Sequence, residues 1–150
     1  MKRIYSTIII LTILLPWLTS CGSDDATGKS EEQLNAEKLS GSWALGTNGY
    51  ITRDGSDLSG EYQDFVIRFT TNHSYTVLKD PNNVFFPTGT WKFAEGTFSQ
   101  ILLNNNMTPI SLQFENATTI TLTFAVIGDT PIGQRVKGIS GSYELRLTKL

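Results

Sequence analysis

The chain has 150 residues, of which 39% are hydrophobic and 17% are charged, a composition typical of one globular domain. Its twelve basic residues, or ten without Lys2 and Arg3, stand against 14 acidic ones, so the part after residue 3 carries a net charge of −4. No cluster of Lys or Arg is present, and nucleic-acid binding is disfavoured because phosphate neutralisation needs clustered positive charge. With one Cys and one His, the sequence has no spacing typical of a metal site and predicts no cofactor.

The first 20 residues are typical of a signal peptide. Met1-Lys2-Arg3 is positively charged, and the apolar run from Ile4 to Leu18 is shorter than the roughly 20 residues that span a bilayer. Leu18-Thr19-Ser20-Cys21 then resembles the lipobox of bacterial lipoproteins, in which the cysteine becomes the lipidated N terminus. The resemblance implies that Cys21 carries acyl chains that anchor the protein to a membrane. The alternative is a buried cysteine behind an ordinary signal peptide.

Residues 21–29 are predicted to form a flexible tether, because this segment is small and polar and has no apolar face to bury. The absence of Asp directly after Cys21 resembles the pattern of lipoproteins sent to the outer membrane, where the domain would lie on the periplasmic or the cell-surface side. Asp24 and Asp25 are similar to surface-export signals of some bacterial groups, although solvation of a linker explains them equally well.

A short helix is predicted to follow the tether. Ser30-Glu31-Glu32-Gln33 fits a capping box, in which the first and last side chains each bond to the backbone N–H of the other. The two glutamates are favourably placed at the positive end of the helix. The pattern predicts a helix over 31–38 that ends at Ser40-Gly41, with Leu34 and Leu39 as its apolar anchors.

After Trp43 the apolar residues alternate with a period of two, which is typical of strands that bury one face. Threonine, aromatic and β-branched residues are frequent, and no long helical period competes with them. In the last strand the alternation places Tyr143, Leu145 and Leu147 inward. We predict eight strands, at residues 42–46, 64–70, 74–79, 88–94, 97–104, 109–115, 118–127 and 142–149.

The connections between these strands alternate between tight and long. Those predicted to be tight are 71–73, 95–96 and 116–117, and the longer ones are 47–63, 80–87, 105–108 and 128–141. In an up-and-down meander, alternate connections lie at opposite ends of the sheet. The pattern therefore predicts an all-β domain over residues 30–150, an eight-stranded antiparallel barrel. Its tight turns and the helix form a closed end, and its long loops form a mouth that faces away from the tether.

A short helix followed by Gly41-Ser42-Trp43, eight meander strands and a basic residue in the last strand resembles the lipocalin-like domains of bacterial lipoproteins. The resemblance covers about residues 34–150. It implies that Trp43 closes the floor of the barrel and that Arg146 packs over its ring as a cation–π partner.

The mouth is where the sequence predicts binding. Val84-Phe85-Phe86 lies in a long loop between prolines, and other aromatic, apolar and basic residues lie in or beside the remaining loops. The residues predicted to line an entrance for a small hydrophobic or amphipathic ligand are Tyr50, Tyr62, Val84, Phe85, Phe86, Met107, Ile132 and Arg135. The alternative is that Phe85 and Phe86 fold down and fill the top of the barrel.

No catalytic residue is predicted. His73 is expected in a tight turn, without companions for catalysis or metal binding. Asp54-Gly55-Ser56-Asp57 only weakly resembles a calcium loop, and solvated loop acids are the simpler interpretation. The leading hypothesis is a membrane-anchored envelope lipoprotein that binds a small apolar ligand. The alternative is a filled barrel that contacts or inhibits an envelope protein through its mouth loops, and an enzyme is the least supported class.

Overall fold

The computed structural model describes residues 28–127 and 140–150. The predicted signal peptide, Cys21 and most of the tether lie outside the described residues, as do Ile132 and Arg135. The elements are α1 (Glu31–Leu39), β1 (Gly41–Ala44), β2 (Tyr50–Arg53), β3 (Ser56–Asp57), β4 (Val66–Phe69), β5 (Ser74–Leu78), β6 (Thr88–Phe93), β7 (Gln100–Leu103), β8 (Ile110–Asn116), β9 (Thr119–Val126) and β10 (Gly141–Lys149).

The strands close into an antiparallel barrel. Strands β4 to β10 pair in sequence order, and β1 pairs with both β4 and β10 and so joins the two edges. Both β1 and β2 pair with β10, through Trp43↔Lys149 and Tyr50↔Arg146, so they are two halves of one interrupted first strand. The predicted eight-stranded barrel with a short N-terminal helix is confirmed.

The first long loop contains strands that the sequence interpretation missed. Strands β2 and β3 form a hairpin within residues 47–63, and its turn is Asp54-Gly55, with φ of 50° and 78°. Asp-Gly is a preferred pair for a two-residue hairpin turn, because both positions need positive φ. The residues that weakly resembled a calcium loop therefore make a hairpin.

The tight connections and the helix gather at one end of the barrel, as predicted. Strand β4 turns into β5 between Phe69 and Ser74, and β8 turns into β9 between Asn116 and Thr119. The turn from β6 to β7 is longer than the predicted two residues and spans 94–99. Its Thr97 hydroxyl accepts a hydrogen bond from the Ser99 N–H at 3.1 Å and so favours a turn where the sequence predicted strand.

Helix α1 begins with the predicted capping box. The Gln33 N–H donates to the Ser30 hydroxyl at 3.2 Å, and the Ser30 N–H donates to Gln33 Oε1 at 2.9 Å. Ala36 and Leu39 are buried against the barrel. Leu34 was predicted as an anchor but is 53% exposed, because the helical period places it on the opposite face from Ala36.

The floor of the barrel is a contact between Trp43 and the C-terminal end of α1. The Trp43 ring is fully buried, and its Nε1–H donates to the Leu39 carbonyl at 2.7 Å. Lys149 Nζ lies 5.1 Å from the centre of the Trp43 ring and donates to the Lys38 carbonyl at 3.2 Å. We call this set of contacts the floor clasp; it supplies two donors to carbonyls that a helix end leaves unpaired.

The prediction that Arg146 packs over Trp43 is wrong. Side chains alternate along β10, and those of Tyr143, Leu145 and Leu147 face inward, so Arg146 faces outward. It donates to Glu115 on β8, from Nε at 2.8 Å and from Nη2 at 2.7 Å. This pairing lowers the pKa of the Glu115 carboxyl. Lys149 continues the inward-facing series 143, 145 and 147, and it is paired in register with Trp43.

Inward-facing side chains from every barrel strand meet in one continuous apolar cluster. The bulkiest of its fully buried members are Trp43, Trp91, Tyr62, Tyr75, Tyr143, Phe65 and Phe69. In a barrel of eight strands, large side chains are enough to fill the interior. The described part of the barrel is therefore packed with side chains.

Replacing Trp43 tests the floor clasp. We expect Trp43→Ala to lower the free energy of unfolding by about 3–5 kcal/mol, the usual loss for a buried Trp. Trp43→Phe keeps an apolar ring but leaves the Leu39 carbonyl without its donor, so the expected loss is smaller, about 1–3 kcal/mol. Urea denaturation of both variants measures the difference. A Trp43→Phe variant as stable as the unchanged chain would mean that the indole N–H contributes nothing, and equal losses in the two variants would mean that burial of the ring contributes nothing.

Candidate functional site

The candidate site is the mouth, the end of the barrel opposite α1. It is formed by residues 54–65, the 79–87 loop, the 104–109 loop and the ends of β9 and β10. The sequence predicted an entrance lined by aromatic side chains here. The structure brings Tyr62 and Phe85 of this set together around Phe65, but as packing across the opening.

Val84 and Phe85 close the mouth. They are 1% and 4% exposed, and the Phe85 ring lies 5.2 Å from that of Phe124 and 6.0 Å from that of Phe65. We call Val84 and Phe85 the plug. Such ring distances are typical of favourable aromatic pairs. The plug therefore belongs to the core, as the alternative interpretation of Phe85 predicted.

Further aromatic rings extend this packing around the opening. Tyr62 is 2% exposed and meets Phe65 edge to face at 5.7 Å, and Tyr143 stacks on Phe124 at 5.4 Å. Burial raises the pKa of the Tyr62 hydroxyl, which accepts a hydrogen bond from Asn82 Nδ2 at 3.2 Å. Tyr62, predicted at the entrance, is thus a core residue whose hydroxyl reaches the rim.

Asp80 holds the plug loop in place. Its Oδ2 accepts the Phe85 N–H at 2.7 Å, which fixes the backbone of the plug. Its Oδ1 is fully buried and receives no well-formed hydrogen bond from any described residue, although the Tyr62 hydroxyl lies near enough to lower the pKa of the carboxyl. Burial is the largest influence on that pKa and raises it.

The remaining predicted residues are spread over different parts of the barrel. Tyr50 lies on β2 with its hydroxyl bonded to Glu144 on the outer face, and that bond raises the pKa of Tyr50. Phe86 is partly buried against the core. Met107 is 92% exposed in the 104–109 loop. The structure does not bring these three side chains to one pocket, and their role in ligand binding remains a prediction.

Two exposed apolar residues at the mouth were missed by the sequence interpretation. Leu78 at the end of β5 is 60% exposed, and Ile127 after β9 is 82% exposed. The exposure of Leu78 could have been predicted from the alternation of side chains in β5, because Tyr75 and Val77 face inward and the next residue must face outward. Together with Met107 they are exposed apolar residues at the mouth end of the barrel, and we use the name rim for these three residues.

Two clefts open beside the plug on the outer surface. One, of about 500 Å³, is lined mainly by polar residues that include Glu61, Asp64 and Asp80. The other, of about 270 Å³, lies between Asp80, Pro87 and the outer edge of Phe85. Both are shallow openings on the outer surface of the mouth. The charged residues in their lining suit polar contacts better than the burial of an apolar ligand.

The groups typical of catalysis or metal binding are dispersed. Within residues 28–127 and 140–150, no three side chains of His, Cys, Asp or Glu converge as metal ligands. His73 lies at the closed end in a turn with φ of 61°, where its ring contacts Trp91 at 4.6 Å between centroids and its Nε2 lies 3.7 Å from Glu32. Its position links α1 to the β4–β5 turn.

No protein-family model, curated protein or solved structure matches the chain at a significant level. The assignment of the fold therefore rests on the strand pairing itself. Across the described ranges, α1 is the one helix, and no helix has the length and apolarity needed to cross a bilayer.

Replacing Phe85 distinguishes a plug from an entrance. We expect Phe85→Ala to lower the free energy of unfolding by about 3–5 kcal/mol, because it leaves a cavity between Phe65 and Phe124. Leu78→Ala, at an exposed position of the same mouth, is the control and should change stability by no more than about 0.5 kcal/mol. Urea denaturation measures both. A stable Phe85→Ala variant would contradict the packing role.

Proposed function

We propose that the chain is a lipid-anchored lipoprotein of the cell envelope whose filled barrel presents its mouth to a protein partner. The observation that carries this proposal is the burial of Phe85, which fills the opening that a small apolar ligand would enter. With this opening filled by Phe85, the outer surface of the mouth is the part of this end that a partner can contact.

The rim supports a protein partner over a small ligand. Leu78, Met107 and Ile127 expose between 60% and 92% of their surface at the mouth end of the barrel. Apolar side chains that project from a polar surface are typical anchors of protein interfaces, where they become buried in pockets of the partner. Asn82, Glu61 and Lys79 lie at the same end of the barrel and supply the polar groups that such an interface needs at its edge.

The proposed lipid anchor at Cys21 is compatible with the position at which the chain enters the barrel domain. The described chain begins at Gly28, and Lys29 lines a cleft with His73 at the closed end. If Cys21 is lipidated, the eight residues from 22 to 29 reach at most roughly 25–30 Å. The closed end would then face the membrane, and the mouth would face outward. We propose the outer membrane as the site of anchoring, on the basis of the residues that follow Cys21.

Lipid attachment is tested by changing Cys21. We expect the full chain, expressed in a bacterial host, to incorporate labelled palmitate and to fractionate with membranes. Cys21→Ser should lose the label and leave the membrane fraction, because the acyl chains supply the anchor. Ser20→Gly, which keeps a small residue before the cysteine, is the control and should retain both properties. Labelling that persists in Cys21→Ser would contradict the lipobox.

The interaction is tested by cross-linking the full chain in intact envelopes. We expect Met107→Ser with Ile127→Ser to remove the cross-linked partner, because the two apolar anchors are lost from the rim. The matched control is Leu34→Ser with Leu150→Ser, which removes two exposed apolar residues (53% and 81% exposed) from the closed end. Partner capture that survives the rim changes, or that falls equally in the control, would contradict docking through the mouth.

A further inference from the structure

The 79–87 loop, which carries the plug, is attached to the barrel at few points. Strands β5 and β6 pair through three residues each, and one more backbone bond joins the Val77 N–H to the Pro87 carbonyl at 2.8 Å. Lys79 and Asn83 have φ of 55° and 50°. Residues other than glycine adopt this region at a cost, so release of the loop would let both positions return to more favourable backbone angles.

The Asp80 carboxylate holds this loop closed, but it does so in an unfavourable environment. Its Oδ2 accepts the Phe85 N–H at 2.7 Å, while its Oδ1 is buried without a well-formed hydrogen bond from the described residues. An ionised oxygen that has left water and found no donor destabilises the state that buries it. The same residue therefore positions the plug and limits its stability.

We propose that the 79–87 loop can swing away from the barrel and carry the plug with it, and that ionisation of Asp80 shifts the loop towards this open state. This inference rests on the proposed function, because the opening would expose Phe65 and Phe124 next to the rim and enlarge the apolar surface offered to a partner. The plug would then regulate the site that the rim forms.

Hydrogen bonds from the backbone of Phe85, Asn82 and Val84 and from the Tyr62 hydroxyl lower the pKa of Asp80, but burial outweighs them. The hydroxyls of Tyr62 and Tyr143 face it from the interior, and Glu61, Asp64 and Lys79 line the cleft outside. Arg53 interacts with Tyr143. In the described ranges no ion pair includes Asp80, whereas two of the nearby groups are carboxylates.

The direction of the pH dependence follows from proton linkage. In the closed state the pKa of Asp80 is raised above its ordinary value of 3.8, mainly by burial. In the open state the carboxyl is solvated and its pKa is ordinary. The closed state therefore binds the proton more tightly, so closure is strongest below pH 3.8 and weakens as the pH rises through the raised pKa. Above that pKa, Asp80 is ionised in both states, and the equilibrium between the closed and the open loop no longer changes with pH.

Hydrogen exchange of the full chain in detergent tests this inference. The amides of Val84 and Phe85 report opening, and those of β6 serve as an internal reference. After correction for intrinsic exchange, we expect the protection of the plug amides to fall with rising pH, by at most about tenfold per pH unit between pH 3.8 and the raised pKa. Protection that is constant or that rises with pH would overturn the proposal.

Two variants separate Asp80 from other acids. Asp80→Asn keeps an oxygen for the Phe85 N–H and removes the charge, so plug protection should become independent of pH. Glu61→Gln is the matched control, because Glu61 is exposed and contacts the same loop through Asn82 at 3.3 Å; it should behave like the unchanged chain. An Asp80→Asn variant that retains the full pH dependence would overturn the assignment to Asp80.

A measurement on the unchanged chain covers the case in which Asp80→Asn does not fold. The carboxyl-carbon NMR signal of Asp80 should titrate above pH 3.8, with a midpoint that matches the loss of plug protection. An ordinary midpoint would overturn the proposal. These readouts need no partner and should be unaffected by Met107→Ser, so failure of the plug mechanism and failure of docking through the rim are distinguishable.

Discussion

The floor clasp is the contact on which the arrangement of the molecule depends. Trp43 and Lys149 bring the first and last strands together, and both donate to carbonyls at the end of α1. Barrel closure and helix docking therefore depend on the same two side chains. Gly41, with φ of 136°, gives the Lys149 side chain room to cross to Trp43, since a Cβ at Gly41 would lie 2.4 Å from Lys149 Cε. The Gly-x-Trp pattern of this chain is thus explained by steric fit: Gly41 leaves the space through which Lys149 reaches Trp43.

The two ends of the barrel are closed by different means. At the floor, a helix covers the interior and its C-terminal carbonyls are bonded. At the mouth, one loop turns Phe85 inward, and the Asp80 carboxylate accepts its backbone N–H. The floor combines hydrogen bonds with apolar burial. The mouth depends on aromatic packing, and there Asp80 Oδ1 is buried without a well-formed hydrogen bond from the described residues. This asymmetry makes the mouth the end where a change of conformation costs least.

Much of the fold could be predicted from the sequence, because alternation and turn residues are local signals. Alternation located the strands and the inward rings, and the capping box located α1. The same alternation, applied to β10, would have excluded Arg146 from the floor and selected Lys149. The hairpin at Asp54-Gly55 was also readable from its turn residues. What could not be predicted was whether Phe85 lines an opening or fills it, because that depends on side-chain volumes contributed by several strands and loops.

The position of the helix also determines how the domain would respond to force. A pull on the segment before Ser30 acts first on the capping box and then along α1, and it reaches the barrel at the carbonyls of Lys38 and Leu39. The ladder between β1 and β10 lies behind those bonds. Force on the N terminus would therefore load the helix and its hydrogen bonds before it reaches the β1–β10 ladder, at the end of the barrel opposite the plug.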